Sequence, residues 1–303
     1  MKQTLRVGAV MALAVSLVSP SSLAGLIVTP VGNTGADGQA LVNDILGAGF
    51  TVVPGSVQYV AGDGQGGFFT GGASAGITID QGILLTSGQA SLAVGPNTVP
   101  DATYSWGTAG DGDLNSLVPG YTTFDASSLT FKFTAAQPGK LYFNYVFGSE
   151  EYNEYVHSAF NNVFGFFLDG VNVALLPGST TPVSINNVNY LDNSAYYINN
   201  AGPGDPIPKV GPLDDIQYDG FTVPLQVAAD ITAGEHTIKL AIADAGDSVL
   251  DSGVFIQGGS FAPTPTPIPE GTVTWATLTV ALGGLWGLRR HWCGRNALPG
   301  VRR

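Results

Sequence analysis

The 303-residue chain contains a single cysteine, Cys293, so no disulfide can form within it. Three histidines make a zinc site implausible, because zinc needs clustered His or Cys ligands. Cations are scarcer still where they would count. Between residues 25 and 270 the basic residues are Lys132, Lys140, Lys209 and Lys239, with no arginine, against all 23 acids of the chain, a balance of 4 − 23 = −19. A polyanion of this kind cannot neutralise phosphates, which excludes nucleic-acid binding. Its acidic surface favours hard divalent cations instead. Charged residues total 11%, so coiled coils and charge-rich disordered tails are excluded as well. No internal repeat is visible, which argues against propellers and solenoids. No G-x-S-x-G elbow is present. The Gly-rich run 62–67 has no following Lys-Ser/Thr and no βαβ context, so nucleotide binding fails too.

What is present starts with two addressing segments. Residues 1–6 are short and basic, residues 7–18 are apolar with one serine, and Ser22-Leu23-Ala24 supplies small residues at the −3 and −1 positions of a cleavage site. That layout predicts a secretory signal peptide over 1–24. At the other end, residues 262–271 alternate Pro and Thr and read as an extended linker. Residues 273–288 follow without a charge and stop at Arg289-Arg290. As a helix they would be ~24 Å long at ~1.5 Å per residue, slightly short of a ~30 Å hydrocarbon core. The flanking arginines predict a membrane-spanning C-terminal sorting helix, within 272–303, whose tail stays in the cytoplasm. Pro269-Glu270-Gly271, the apolar run and Arg289-Arg290 together resemble a PEP-CTERM sorting signal. That resemblance implies cleavage by a membrane protease, an exosortase, and delivery to the envelope or extracellular matrix. Gly271, where Pro is common, and the 13-residue tail after Arg290 depart from the pattern.

Residues 25–261 read as one all-β domain. Asp37, Leu41, Val42, Ile45 and Leu46 suggest one short N-terminal helix over 37–46, with Gly47 able to cap it. Almost everything after it has a period of two. Leu129-Phe131-Phe133, Leu141-Phe143-Tyr145-Phe147, Phe221-Val223-Leu225-Val227 and His236-Ile238-Leu240-Ile242 each alternate with polar or small residues. Gln137-Pro138-Gly139 and Asp169-Gly170 punctuate hairpins. The expected architecture is a single β-sandwich of jelly-roll type.

Several runs then carry a second resemblance. They are Ala40-Leu-Val-Asn43, Gly82-Ile-Leu-Leu-Thr-Ser-Gly88, Gly110-Asp-Gly-Asp-Leu114, Tyr145-Val-Phe-Gly-Ser-Glu-Glu-Tyr-Asn-Glu-Tyr155, Asn162-Val-Phe-Gly-Phe-Phe-Leu-Asp-Gly170 and the segment 242–256. Together, over roughly Val31 to Phe261, they resemble the choice-of-anchor L domain. The resemblance implies a secreted bacterial surface protein bearing one of several sorting tails, and implies location and fold more than activity.

Two acidic loops could carry chemistry. Glu150, Glu151 and Glu154 directly follow one core strand, and Asp244, Asp247 and Asp251 follow another. Flanked by Gly246, Ser248, Ser252 and Gly253, the second loop can fold several carboxylates and carbonyls around one point, as Ca²⁺ requires with six to eight oxygens at ~2.3–2.6 Å. Two other readings stay open: solvated turns with no ligand, and catalytic carboxylates such as Glu150 with Asp251. Asp111-Gly-Asp-Leu-Asn115 only begins like an EF-hand, since Ser116 and Thr122 stand where Gly and Glu are needed. His236 lies on the apolar parity of its strand and reads as a core or edge histidine; His157 reads as a surface residue. Trp106, Tyr152, Tyr155, Tyr196 and Tyr197 can stack on sugars, although core packing is their commoner role. The sequence therefore predicts an exported surface or matrix protein, a non-enzymatic structural or adhesive module. Its expected cofactor is Ca²⁺ at Glu150, Glu151, Glu154, Asp244, Asp247 and Asp251. Its expected partners are extracellular polysaccharide or other surface proteins, the membrane and an exosortase. The alternative is a secreted carbohydrate-active hydrolase using paired carboxylates.

Overall fold

The computed structural model describes residues 25–268, in which two antiparallel sheets face each other as a sandwich. The predicted signal peptide, residues 269–271 and the apolar segment 273–288 lie outside the described residues. Among the described residues no helix is long and apolar enough to cross a membrane.

The first sheet runs, in spatial order, β1 (Ile27–Val31), β4 (Gly66–Thr70), β5 (Gln81–Thr86), β14 (Ser252–Gln257), β7 (Gly139–Ser149), β11 (Gly220–Thr222) and β10 (Tyr197–Asn199). Strand β12 (Leu225–Ile231) pairs with the first half of β7. The second sheet runs β2 (Thr51–Val52), β6 (Thr123–Ala135), β13 (Gly234–Ala245), β8 (Val163–Leu168) and β9 (Val171–Asn172), with β3 (Gln58–Val60) also on β6.

The period-two pattern decides which side chains meet between the sheets. Phe131 and Phe133 of β6, Phe143 and Tyr145 of β7, and Ile238, Leu240 and Ile242 of β13 are all buried in one apolar cluster. Phe143 stacks on Phe166 at 3.6 Å between centroids. Each such side chain contributes roughly 1.5–3 kcal/mol of burial, which is how a domain without disulfides holds together.

The longest helix among the described residues, α1 (Gly35–Ile45), starts two residues earlier than the periodicity suggests, because Thr34 caps it. The Thr34 hydroxyl accepts from the Asp37 N–H, while the Asp37 carboxylate accepts from the Thr34 N–H, so two otherwise orphaned donors are satisfied. Gly47 does not supply a left-handed cap. Leu46 closes the helix in extended conformation, and the Gly47 N–H donates to the Phe261 carbonyl at 2.9 Å. Glycine is needed there for close approach, since a Cβ would fall 2.5 Å from the Gly259 carbonyl oxygen.

The Pro/Thr segment begins docked on the domain. Ala262 bridges to Tyr142 in antiparallel fashion, and the Thr266 carbonyl accepts from the side chains of Asn144 and Gln226.

Candidate functional site

The end of the sandwich where β7 and β13 finish and β8 and β14 begin gathers both acidic loops. Ser149 and Ser252 face each other across β7 and β14, and the Glu150 N–H donates to the Asp251 carbonyl at 3.1 Å. From the other sheet, Asn162 reaches over. Its amide donates to Asp244 Oδ1 (3.0 Å), to the Leu250 carbonyl (2.8 Å) and to Ser252 Oγ (3.0 Å), while its oxygen accepts from the Ala245 N–H (2.8 Å). The Ser252 hydroxyl in turn donates to Ser149 Oγ at 2.7 Å. One amide thus fixes the second loop, and Ser252 ties it to the start of the first.

A β-bulge sharpens this end. Ile242 pairs with Ser127 and Asp244 with Phe124, so Asp125 and Ala126 together oppose the single residue Ala243. Asp125 adopts a left-handed φ of 48° there and is fully buried. Its carboxylate accepts from the N–H groups of Trp106 (2.9 Å) and Thr108 (2.6 Å) and from the Ser105 hydroxyl (3.0 Å). Asp251 plays a matching part, accepting from the Tyr104 N–H at 2.9 Å and the Thr103 hydroxyl at 3.3 Å. Gly88 makes room for it: a Cβ at that position would sit 1.6 Å from Asp251 Oδ2.

Four of the six sequence-predicted residues are buried together. Glu150 and Glu151 are each 1% exposed, Asp244 0% and Asp251 2%. Asp247 lies at the rim, where its carboxylate accepts from the Val249 N–H, and Glu154 is exposed. Glu154 instead opens onto a cleft of about 280 Å³ that Asp205, Asp219 and Asn97 also line.

Carboxylates here lack compensation. Both oxygens of Glu150, Oε2 of Glu151 and Oδ2 of Asp244 are buried without a hydrogen-bond partner. Such groups are expensive unless neutralised. The four described lysines are engaged elsewhere, with Glu235, Asp230, Asp214 and the pair Asp111 and Asp113. Burial therefore pushes Glu150 well above the usual carboxylate range, with Asp219 and Asp251 adding like-charge repulsion. Asp244 moves the same way, through burial and then Asp251. Burial, Asp247 and Glu154 raise Glu151 to about 9. Asp251 rises to about 7 through burial, opposed by the donors Tyr104 and Thr103. In the cleft, burial raises Asp219 to about 8, opposed by Asn97 and reinforced by Glu154 and Asp205. Partial desolvation of the Glu154 carboxyl where it meets the cleft, with Asp205 beside it, brings it to about 7, although the residue as a whole is exposed.

The remaining sequence candidates have structural work. Asp111 caps the short helix α2 (Gly112–Leu117), and with Asp113 it holds Lys239 at 2.6 and 2.7 Å. His236 is buried, its Nδ1 on Asp169 (2.7 Å) and its Nε2 on the Thr232 carbonyl (2.9 Å), which requires a proton on each nitrogen. His157 is half exposed against Asp192. Tyr152 is buried and donates to the Val188 carbonyl at 2.6 Å, which leaves no face for a sugar.

A sequence profile of the choice-of-anchor L domain matches residues 30–262. No curated protein matches the chain. Among solved structures, a family 35 carbohydrate binding module from an environmental isolate aligns with 60% of this chain and 98% of its own, at 12% identity and a TM-score of 0.20, a likeness that carries no weight for fold or ligand. The profile spans well over half of the sequence and includes both acidic loops, and the chain belongs to the choice-of-anchor L domain family.

Proposed function

We propose that the protein is an exported, non-enzymatic surface or matrix module, delivered by its C-terminal sorting segment, associated with extracellular polysaccharide and stabilised by Ca²⁺ at its acidic end. The observation that carries the cation is the set of buried, unpartnered oxygens on Glu150, Glu151 and Asp244, with every described lysine occupied elsewhere. Among the described residues no three His, Cys, Asp or Glu side chains gather around one point. An ion would therefore draw on carboxylates two at a time, with neutral oxygens from Ser149, Ser252 and nearby carbonyls completing its shell. Ca²⁺ accepts such mixed oxygen sets.

The burial of Glu150, Glu151 and Asp251 also speaks for a non-catalytic role. A glycosidic bond must lie between its two carboxyl groups, and groups no more than 2% exposed offer it no approach.

Thermal melting tests the proposal. Bound Ca²⁺ adds RT ln(1 + [L]/Kd), about 2.7 kcal/mol at a hundredfold excess over Kd, so Tm should rise with millimolar Ca²⁺ and fall with a chelator. An unchanged melting curve would remove the metal. Delivery is tested separately: Arg289→Glu with Arg290→Glu should alter membrane fractionation, and normal fractionation would contradict the sorting segment.

A further inference from the structure

The geometry points to a glycan-binding groove, lined by residues between Ser91 and Thr103 and by Gln217 and followed in the chain, directly after Thr103, by the exposed Tyr104, that takes a neutral polysaccharide chain. This deepens the polysaccharide association proposed above and rests on it. Four large apolar side chains, Val94, Val99, Tyr104 and Val249, are 39% to 45% exposed, and three of them fall within eleven consecutive residues. Val249 adjoins them, because the next residue, Leu250, donates its N–H to the Thr103 hydroxyl at 3.1 Å. Between Val94, Val99 and Thr103 runs a groove of about 460 Å³, with Ser91, Thr98 and Asp101 supplying polar atoms along it. Alternating apolar and hydroxyl-bearing surface is what a sugar chain presents in return, with its C–H faces on one side and its hydroxyls on the other.

Rigidity is the second observation. The Trp106 indole N–H donates to the Gly88 carbonyl at 2.8 Å, and its ring covers Gly62 so closely that a Cβ there would fall 2.5 Å away. Tyr104 packs edge-on against that ring, at 4.8 Å between centroids. The backbone beneath both rings is held by two buried carboxylates, Asp251 under Tyr104 and Asp125 under Trp106 and Thr108. An aromatic side chain fixed in this way loses little entropy when a ligand stacks on it. Asp125 and Asp251 are thus positioning residues, and Tyr104 makes the contact.

Charge selects the class of ligand. No lysine or arginine lines the groove, whereas Asp101 does, so carboxylated or sulfated chains are repelled and neutral hydroxyls find acceptors.

Affinity electrophoresis of the full-length protein through gels containing galactomannan, mixed-linkage β-glucan or alginate tests this, with pull-down on cellulose and chitin for insoluble chains. At least one neutral polymer should retain the wild type. Tyr104→Ala should weaken retention on the order of tenfold with Tm unchanged. Tyr104→Phe should keep it, as should Val171→Ala at an exposed position on β9, at the edge of the second sheet. Retention that Tyr104→Ala and Val99→Ser leave unaltered overturns the groove while sparing polysaccharide association. Retention by alginate alone overturns the neutral groove while sparing polysaccharide association, and no retention by any of these polymers overturns both.

Discussion

Strand β13 joins two ends of the sandwich that treat charge in opposite ways. At its Gly234 end each charge has a partner: His236 sits between Asp169 and the Thr232 carbonyl, Glu235 meets Lys132, and Asp230 nearby meets Lys140. At its Ala245 end, Asp244, Asp251, Glu150 and Glu151 are buried with Asn and Ser around them and no basic side chain. The first end needs only its own residues. The second needs protons or a cation from outside, and that requirement marks it as responsive to the medium.

The largest expected difference between the ends is in pH dependence. A carboxyl whose folded pKa is raised binds more protons folded than unfolded, so its stability contribution is full below the unfolded pKa and is lost as pH rises through the folded one. For Glu151 that window runs from 4.5 to about 9. At about 1.4 kcal/mol per unit its full effect is on the order of 6 kcal/mol. Urea unfolding in chelator at pH 5, 7 and 9 should show stability falling steadily, and Ca²⁺ should flatten the slope. A flat profile in chelator would erase the contrast between the two ends.

Asp251→Ala comes next. It removes an anionic acceptor from Tyr104 and Thr103 and should cost about 2–3 kcal/mol, measured as a lower urea midpoint. It should also abolish the Ca²⁺ response; a variant that still gains stability with Ca²⁺ would place the ion elsewhere.

Smaller effects are expected at the paired end. His236→Leu should cost about 1–2 kcal/mol by leaving the Thr232 carbonyl unpaired, with the Ca²⁺ response intact. His236 itself is raised from 6.5, through the bonds to Asp169 and Thr232 that outweigh its burial, so its contribution is present below 6.5 and fades as pH climbs through the raised value. Lys132→Met should change stability by less than about 1 kcal/mol, since both partners of that ion pair are half exposed. Loss of the Ca²⁺ response in either variant would show that the ends are not independent.

Much of this architecture is legible in period-two patterning, because a strand buried on one face leaves little choice of parity. Phe131, Phe133, Phe143, Tyr145, Ile238, Leu240 and Ile242 all face the core as that pattern requires. The meeting of the two acidic loops was legible for the same reason, each being placed by a core strand. Asp125 escaped notice although its signal was there: it shares the inward parity of Ser127, Leu129 and Phe131, where an acid is anomalous. Asp205 and Asp219 carried no such signal, since they lie in or beside the irregular stretch between β10 and β11, and only chain folding brings them to Glu154. The docking of residues 262–266 was hidden by proline, which suggests a free linker even where carbonyls such as that of Thr266 are bound by side chains. Gly88, the last residue of the run Gly82–Gly88, proves to be spacing for Asp251.

The most direct test of the central claim is calorimetric titration of the protein with Ca²⁺ at pH 7 in two buffers of different ionisation enthalpy. If the cation replaces protons on a pair of the buried carboxyls among Glu150, Glu151 and Asp244, the apparent binding enthalpy should differ between buffers by at least one proton released per ion. Binding with no buffer dependence, or no heat up to millimolar Ca²⁺, would contradict it.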